Sequence, residues 1–275
     1  MHKIALTILG LFLLLRIQSQ QNIDVKPATP IIIGQSYEIL SSELSEPRVL
    51  NIYLPEGYER EDTAKFPVIY LLDGSTNEDF LHVAGLVQFF NMMNMMPKII
   101  VVGISNVNRK RDFTYPTSVV QDRIDFPSTG GSAQFISFLS KEVKPFVTKK
   151  FRTNGMSTII GQSLGGLLVT EILMNNPDMF DRYIIVSPSL WWDNTSVIQE
   201  DVIKAYLDAP NKKTIYLAVG KEGDTMEKGA KSLHEVLKRN KNMTAHFQYL
   251  PDENHATILH QSLYNAFRIL NPTKR

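Results

Sequence analysis

Gly161-Gln162-Ser163-Leu164-Gly165 follows the short apolar run Thr158-Ile159-Ile160 and precedes the apolar stretch Leu167 to Leu173. A serine between glycines, entered from a strand and left by a helix, matches the G-x-S-x-G pattern of a nucleophile elbow. The sharp turn exposes the hydroxyl, and side chains at the flanking positions would collide with the strand and helix on either side. The helix start adds unpaired N–H groups and the positive end of its dipole beside that hydroxyl. Ser163 is therefore the candidate nucleophile for attack on an acyl carbon.

A serine hydroxyl needs a base, and the base needs a carboxylate to orient it, in the chain order Ser, acid, His. Of six histidines, four follow Ser163. His234 belongs to an amphipathic helix, His246 to a strand, and His260 lies one turn into the last helix. His255, in "LPDENHATI", falls in a loop between a strand's carboxyl end and a helix, where it can reach the elbow. The acid belongs after the strand "TIYLAVG", in "KEGD", where Glu222 and Asp224 both qualify by position. An oxyanion formed on attack needs two preorganised donors. One is the backbone N–H of Leu164; the other belongs to the loop "DGSTN", where Gly74 permits close backbone approach and Ser75 follows it.

These residues must be held by a scaffold, and 275 residues, 43% hydrophobic and 21% charged, suffice for one large domain with a substantial core. A net charge of +1 leaves no basic surplus for phosphate backbones, which argues against nucleic acid as a partner. With no cysteine, disulfides, thiolate metal sites and lipidated cysteines are excluded. Met1-His2-Lys3, the apolar stretch Ile4 to Leu15 and the polar residues after it have the layout of a signal peptide ending at Ser19. The expectation is an exported protein, periplasmic or secreted, with a single domain over residues 20–275 and no membrane span once the leader is removed. An uncleaved N-terminal anchor is the alternative.

Along the chain, "QSYEILSSEL" and "RVLNIYLP" alternate as an antiparallel edge hairpin does. From "FPVIYLLDG" onward, apolar strands and helices take turns, which predicts α/β layering with right-handed crossovers. "SAQFISFLSKEVKPFVTKKF" reads as one helix, and "FFNMMNMM" as helix packing. Two long connections, 105–131 and 190–211, break the rhythm and hang over the carboxyl ends of the strands, where ligands bind. The run Asn108 to Asp112 reads as a solvated loop, in which Arg109, Arg111 and Asp112 either order the loop by pairing with one another or meet a polar substrate. Trp191 and Trp192 open the second connection, either walling an acyl or aromatic pocket or packing in the core.

Seven stretches in order, "FPVIYLLDG", "HVAGLVQFF", "MPKIIVVGISNVNRKRDFTYP", "IIGQSLGGLL", "SPSLWW", "AVGKEG" and "DENHATI", resemble an esterase family of the α/β-hydrolase superfamily that includes enterochelin esterase-like and esterase D-like enzymes. The resemblance spans about Tyr37 to Leu270. It implies an α/β-hydrolase fold, a mostly parallel central sheet with helices on both faces and an N-terminal antiparallel edge hairpin. It also implies a serine esterase that works through an acyl-enzyme on a small-molecule ester, with no metal or organic cofactor. Relatives carry a glutamate followed by glycine after the strand before the acid, which matches Glu222-Gly223 and favours Glu222 over Asp224. Ala256 stands where relatives often carry glycine, and Gln162 where many carry histidine; neither supplies the chemistry, and both bear on pocket shape. The family's substrates range from siderophores to carbohydrate and aryl esters. An acyltransferase with the same acyl-enzyme, or a binding protein on an inactive hydrolase fold, are the alternatives.

Overall fold

In the computed structural model, which describes residues 26–60 and 63–272, eight segments rich in β-branched and aromatic residues pair into one sheet. The expected leader, residues 1–19, lies outside the described residues. The strands are β1 (Gln35–Ser41), β2 (Glu46–Tyr53), β3 (Phe66–Leu71), β4 (Ile100–Ile104), β5 (Thr153–Gln162), β6 (Arg182–Val186), β7 (Lys213–Gly220) and β8 (Met243–Leu250). Their order is β1-β2-β4-β3-β5-β6-β7-β8. β2 runs antiparallel to both β1 and β4, and every other pairing is parallel, so β2 is the one reversed strand.

The helices are α1 (Phe80–Met92), α2 (Arg109–Asp112), α3 (Val120–Asp125), α4 (Ser132–Phe138), α5 (Lys144–Lys150), α6 (Leu164–Asn175), α7 (Lys204–Asp208), α8 (Asp224–Leu237) and α9 (Ile258–Leu270). Successive strand residues feed opposite layers, because side chains alternate across a pleated sheet. Val68 and Tyr70 pack with Phe135, Leu168 and Leu233, whereas Ile69 and Leu71 pack with Val87, Phe90, Leu263 and Phe267. Covered on both faces, the central strands read as continuous apolar runs. Among the described residues no helix is long and apolar enough to cross a membrane.

Three expectations change in detail. The helix foreseen over "SAQFISFLSKEVKPFVTKKF" is α4 and α5 joined by a π-turn over Leu139–Val143. Pro145, just after that turn, lacks an N–H and its ring crowds the carbonyl four residues back, which the wider turn accommodates. The "FFNMMNMM" run divides: Phe90 and Met96 are buried, but Met92 and Met93 are 65% and 48% exposed, because α1 ends there and Asn94 turns the chain at φ 54°. The segment around Asn108 to Asp112 is not a solvated loop, since Asp112 and Arg48 are both 0% exposed and paired with each other. Arg48 also pairs with Glu46 at 2.8 Å and lies over the rings of Phe135 and Phe138. The expected ion pair within the run is present between Arg111 and Asp112 at 2.7 Å, and Arg111 reaches Glu46 at 2.5 Å, tying the 105–131 connection to β2.

Glu171 of α6 is 8% exposed; its Oε1 accepts from the Ser132 hydroxyl at 2.9 Å and its Oε2 has no partner. Burial pushes this carboxyl up to about 7, only partly opposed by Ser132. A raised carboxylate pKa means the folded state binds the proton more tightly, so stability falls as pH rises between about 4.5 and about 7. Glu171→Gln is expected to stabilise the protein at pH ~8 by up to about 3 kcal/mol and by little at pH ~4.5. Thermal melts across that range check it; a pH-independent difference would contradict the burial argument.

Candidate active site

β5 delivers Ser163 to the carboxyl edge of the sheet, where α6 begins at the next residue. Ser163 sits at φ 60°, ψ −121°, a region that side chains disfavour and that the elbow enforces. Its N–H donates to the Val186 carbonyl at 3.0 Å, and its own carbonyl accepts from Leu167 at 2.9 Å and Ser189 at 3.0 Å. A Cβ on Gly161 would lie 2.4 Å from the Gly165 carbonyl oxygen, so the strand and helix meet only across a glycine.

The loop after β8 places His255 with Nε2 3.0 Å from Ser163 Oγ and Nδ1 2.5 Å from Glu222 Oε2. Glu222 Oε1 accepts from the Gly220 N–H at 2.9 Å and from the Ser187 hydroxyl. Burial alone would raise the Glu222 carboxyl, but the bonds from His255, Ser187 and Gly220 outweigh it and hold it below the ordinary carboxylate range. Asp224 takes no part: it is exposed at the start of α8 and pairs with Lys228 at 2.7 Å. The other histidines after Ser163 are engaged elsewhere or outside this contact. His234 stacks on Phe247 and His260 meets His82 at 2.8 Å.

Leu164 opens α6, and the first intrahelical bond is donated by Leu167, which leaves the Leu164 N–H at the helix start beside Ser163. Gly74 does not supply the second donor. Its N–H donates to the Ile104 carbonyl at 3.0 Å, and a Cβ there would stand 2.4 Å from Gly103 Cα and Ile104 N. Glycine is required at this position by the close passage of β4. The adjacent Ser75 N–H is free of backbone acceptors in that register and meets only the Glu78 carboxylate, at 3.3 Å. Gly74→Ala is expected to cost about 2–4 kcal/mol, because two backbones and not a flexible side chain must give way. Urea denaturation measures it, and a loss under about 1 kcal/mol would contradict the close passage.

With this geometry in place, similarity to known proteins decides the family. The esterase family described as "Putative esterase" matches residues 41–261. The chain belongs to this family. It is 29% identical over 259 residues to the ferri-bacillibactin esterase BesA of Bacillus subtilis, covering 86% of this chain and 89% of that one. The crystal structure of an IroE-like serine hydrolase from Shewanella oneidensis superposes with TM-score 0.79 at 30% identity, over 86% of this chain and 80% of that one. The BES protein of Bacillus cereus superposes with TM-score 0.78 at 28% identity, over 92% and 100% respectively. The protein is a carboxylic ester hydrolase of the α/β-hydrolase class.

Around the esterase's elbow the two tryptophans part company. Trp192 is 0% exposed and donates its indole N–H to the Tyr115 carbonyl at 2.9 Å, so it is core and not pocket wall. Trp191 is half-buried against Phe126, two residues beyond Ser189. The connection it opens is anchored: Ile203 and Tyr206 are buried, and the Tyr206 hydroxyl donates to the Leu237 carbonyl at 2.6 Å. Arg109 does not pair within its own run. It forks onto Asp73 at 2.6 and 2.8 Å and reaches the Gln162 carbonyl at 3.3 Å, bracing the residue before Ser163.

Several contacts of this site have no signature in the sequence. Ser189 Oγ lies 3.3 Å from Ser163 Oγ, and the Gln162 amide donates to the His255 carbonyl at 2.6 Å, tying the histidine loop to the elbow. Gln162 thus shapes the histidine's placement, beyond the pocket shape expected of it. Ser187 and Ser189 stand in the stretch "SPSLWW", yet their partners are 35 and 26 residues away, and no local pattern marks them.

Proposed function

We propose that this esterase hydrolyses siderophore-type esters through an acyl-enzyme built by Ser163, His255 and Glu222. The observation that carries the reading is the continuous hydrogen-bond path from Glu222 through His255 to the serine at the elbow. His255 Nε2 takes the Ser163 proton as Oγ attacks the acyl carbon, and Glu222, anionic, keeps the imidazole oriented and stabilises its charge. The N–H groups of Leu164 and Ser75 receive the oxyanion. On collapse of the tetrahedral intermediate, His255 gives its proton to the departing alkoxide. It then deprotonates the water that attacks the acyl-enzyme, and as the second tetrahedral intermediate collapses it returns that proton to the departing Ser163 Oγ, which releases the acid and restores the enzyme.

The substrate class rests on the relatives, among them an esterase named for ferri-bacillibactin and another for enterobactin. Export rests on the residue pattern of positions 1–19. The test is incubation of the protein and its Ser163→Ala variant with enterobactin, with mass spectrometry of the products and fluorophosphonate labelling in parallel. Ring-opened product and labelling by the wild type alone are expected. Labelling without siderophore cleavage would keep the serine esterase and reject the substrate class.

A further inference from the structure

Ser75-Thr76-Asn77-Glu78 forms a turn ahead of α1, closed by the Glu78 N–H donating to the Ser75 carbonyl at 3.0 Å, and the turn places Glu78 Oε2 3.3 Å from the Ser75 N–H. Asn106 holds the same carboxylate through its side-chain amide, at 2.9 Å from Oε1 and 3.2 Å from Oε2. That amide also reaches Asp73 Oδ1 at 2.7 Å. Arg109 gives its two strongest bonds to Asp73 and acts on Glu78 only through its charge, which helps to keep that carboxylate ionised. Burial would raise the Glu78 carboxyl, yet bonds from Ser75 and Asn106 hold it below its ordinary value, so it is charged at neutral pH. Burial first, and then the charges of Asp73 and Glu78, push the Asp79 carboxyl up to about 6 against the opposing charge of Arg109.

We propose that Glu78 is a built-in competitor for the oxyanion hole: its carboxylate holds the Ser75 N–H between turnovers, yields it to the carbonyl of a neutral ester, and contests it with the carboxylate that hydrolysis releases. The inference rests on the roles given above to Ser163 and Ser75. A neutral carbonyl meets no charge repulsion as it displaces an exposed side chain. A carboxylate product, or an acyl group carrying its own anionic charge near the reacting carbon, brings a second negative charge within a few ångströms of the first. At the effective dielectric of a protein surface that repulsion weakens binding on the order of tenfold. Glu78 therefore selects neutral acyl groups and limits product inhibition.

The test uses Glu78→Gln, which keeps the shape and the acceptor for Ser75 but removes the charge, with Glu78→Ala beside it. Hydrolysis of p-nitrophenyl butyrate is measured with butyrate as inhibitor, and with butylboronic acid, which forms a tetrahedral anion on an activated serine. The expected result is a Ki for butyrate lowered about tenfold in Glu78→Gln and tighter boronate binding, while KM for the neutral ester moves by less than about twofold. A purely structural role for the Glu78 bond to Ser75 would move KM and Ki together or neither, and either pattern overturns the proposal. If Glu78→Ala fails to fold, Glu78→Gln decides alone. Ser163→Ala separates the two levels: turnover retained in that variant defeats the catalytic reading, whereas an inactive Ser163→Ala with an unchanged butyrate Ki in Glu78→Gln defeats only the role of Glu78.

Discussion

Replacing Ser163 by alanine is expected to lower kcat for p-nitrophenyl butyrate by about ten-thousand- to a million-fold, the range seen when a nucleophile is removed from a serine hydrolase. In the proposed mechanism the Ser163 hydroxyl oxygen forms the acyl bond, and alanine has no atom to replace it. The residue's other duties belong to its backbone, whose N–H and carbonyl bonds to Val186, Leu167 and Ser189 an alanine retains. Tm is therefore expected to stay within a few degrees of the wild type. Because the groups act as one unit, Ser163→Ala/His255→Ala is expected to be no slower than Ser163→Ala alone. A multiplicative loss in the double variant would show that His255 acts on something other than this serine.

Glu222→Gln is expected to lower kcat by about a thousand- to ten-thousand-fold, far more than the loss of one hydrogen bond would suggest. The reason lies in the donors to Glu222 Oε1, the Gly220 N–H and the Ser187 hydroxyl. They would hold the glutamine's carbonyl oxygen and turn its NH2 toward His255 Nδ1. Nδ1 would then have to accept, the ring proton would move to Nε2, and Nε2 could no longer take the proton of Ser163. The bonds that keep the Glu222 carboxyl below its ordinary range keep it anionic well into acid, so the deficit is expected to persist down to pH ~5. Asp224→Asn is the control: that side chain is 86% exposed and its partner is Lys228, so kcat should change by less than about twofold. A hundredfold loss in Asp224→Asn would reverse the assignment of the acid.

The features legible in the residue pattern are local ones. Glycines at 161 and 165 around a serine imply a strand-to-helix turn because only a tight backbone reversal has use for them there, and β5 and α6 meet at that serine. Alternating apolar strands and amphipathic helices imply layered α/β architecture, since each element must bury its apolar side against the next. The loop position of His255 separates it from three other histidines by the same kind of argument.

Partners distant in the chain are another matter, because spacing along a sequence does not say which atoms of two remote loops converge. Glu222 and Asp224 are two residues apart and equivalent by position; the start of α8 turns one into solvent and leaves the other under Ser187. Gly74 and Ser75 are equal candidates until β4, some 30 residues later, takes the Gly74 N–H. Trp191 and Trp192 differ by one residue, and the packing of the 105–131 connection over them buries one and half-exposes the other. By itself the sequence determined the nucleophile's turn, the order of elements and the class of chemistry, all set by backbone conformation within a few residues. The tertiary structure decided the partners of Glu222, the bonds of the Gly74 and Ser75 N–H groups and the charge beside Ser75, because hydrogen bonding and burial there depend on strands and loops that only folding brings together.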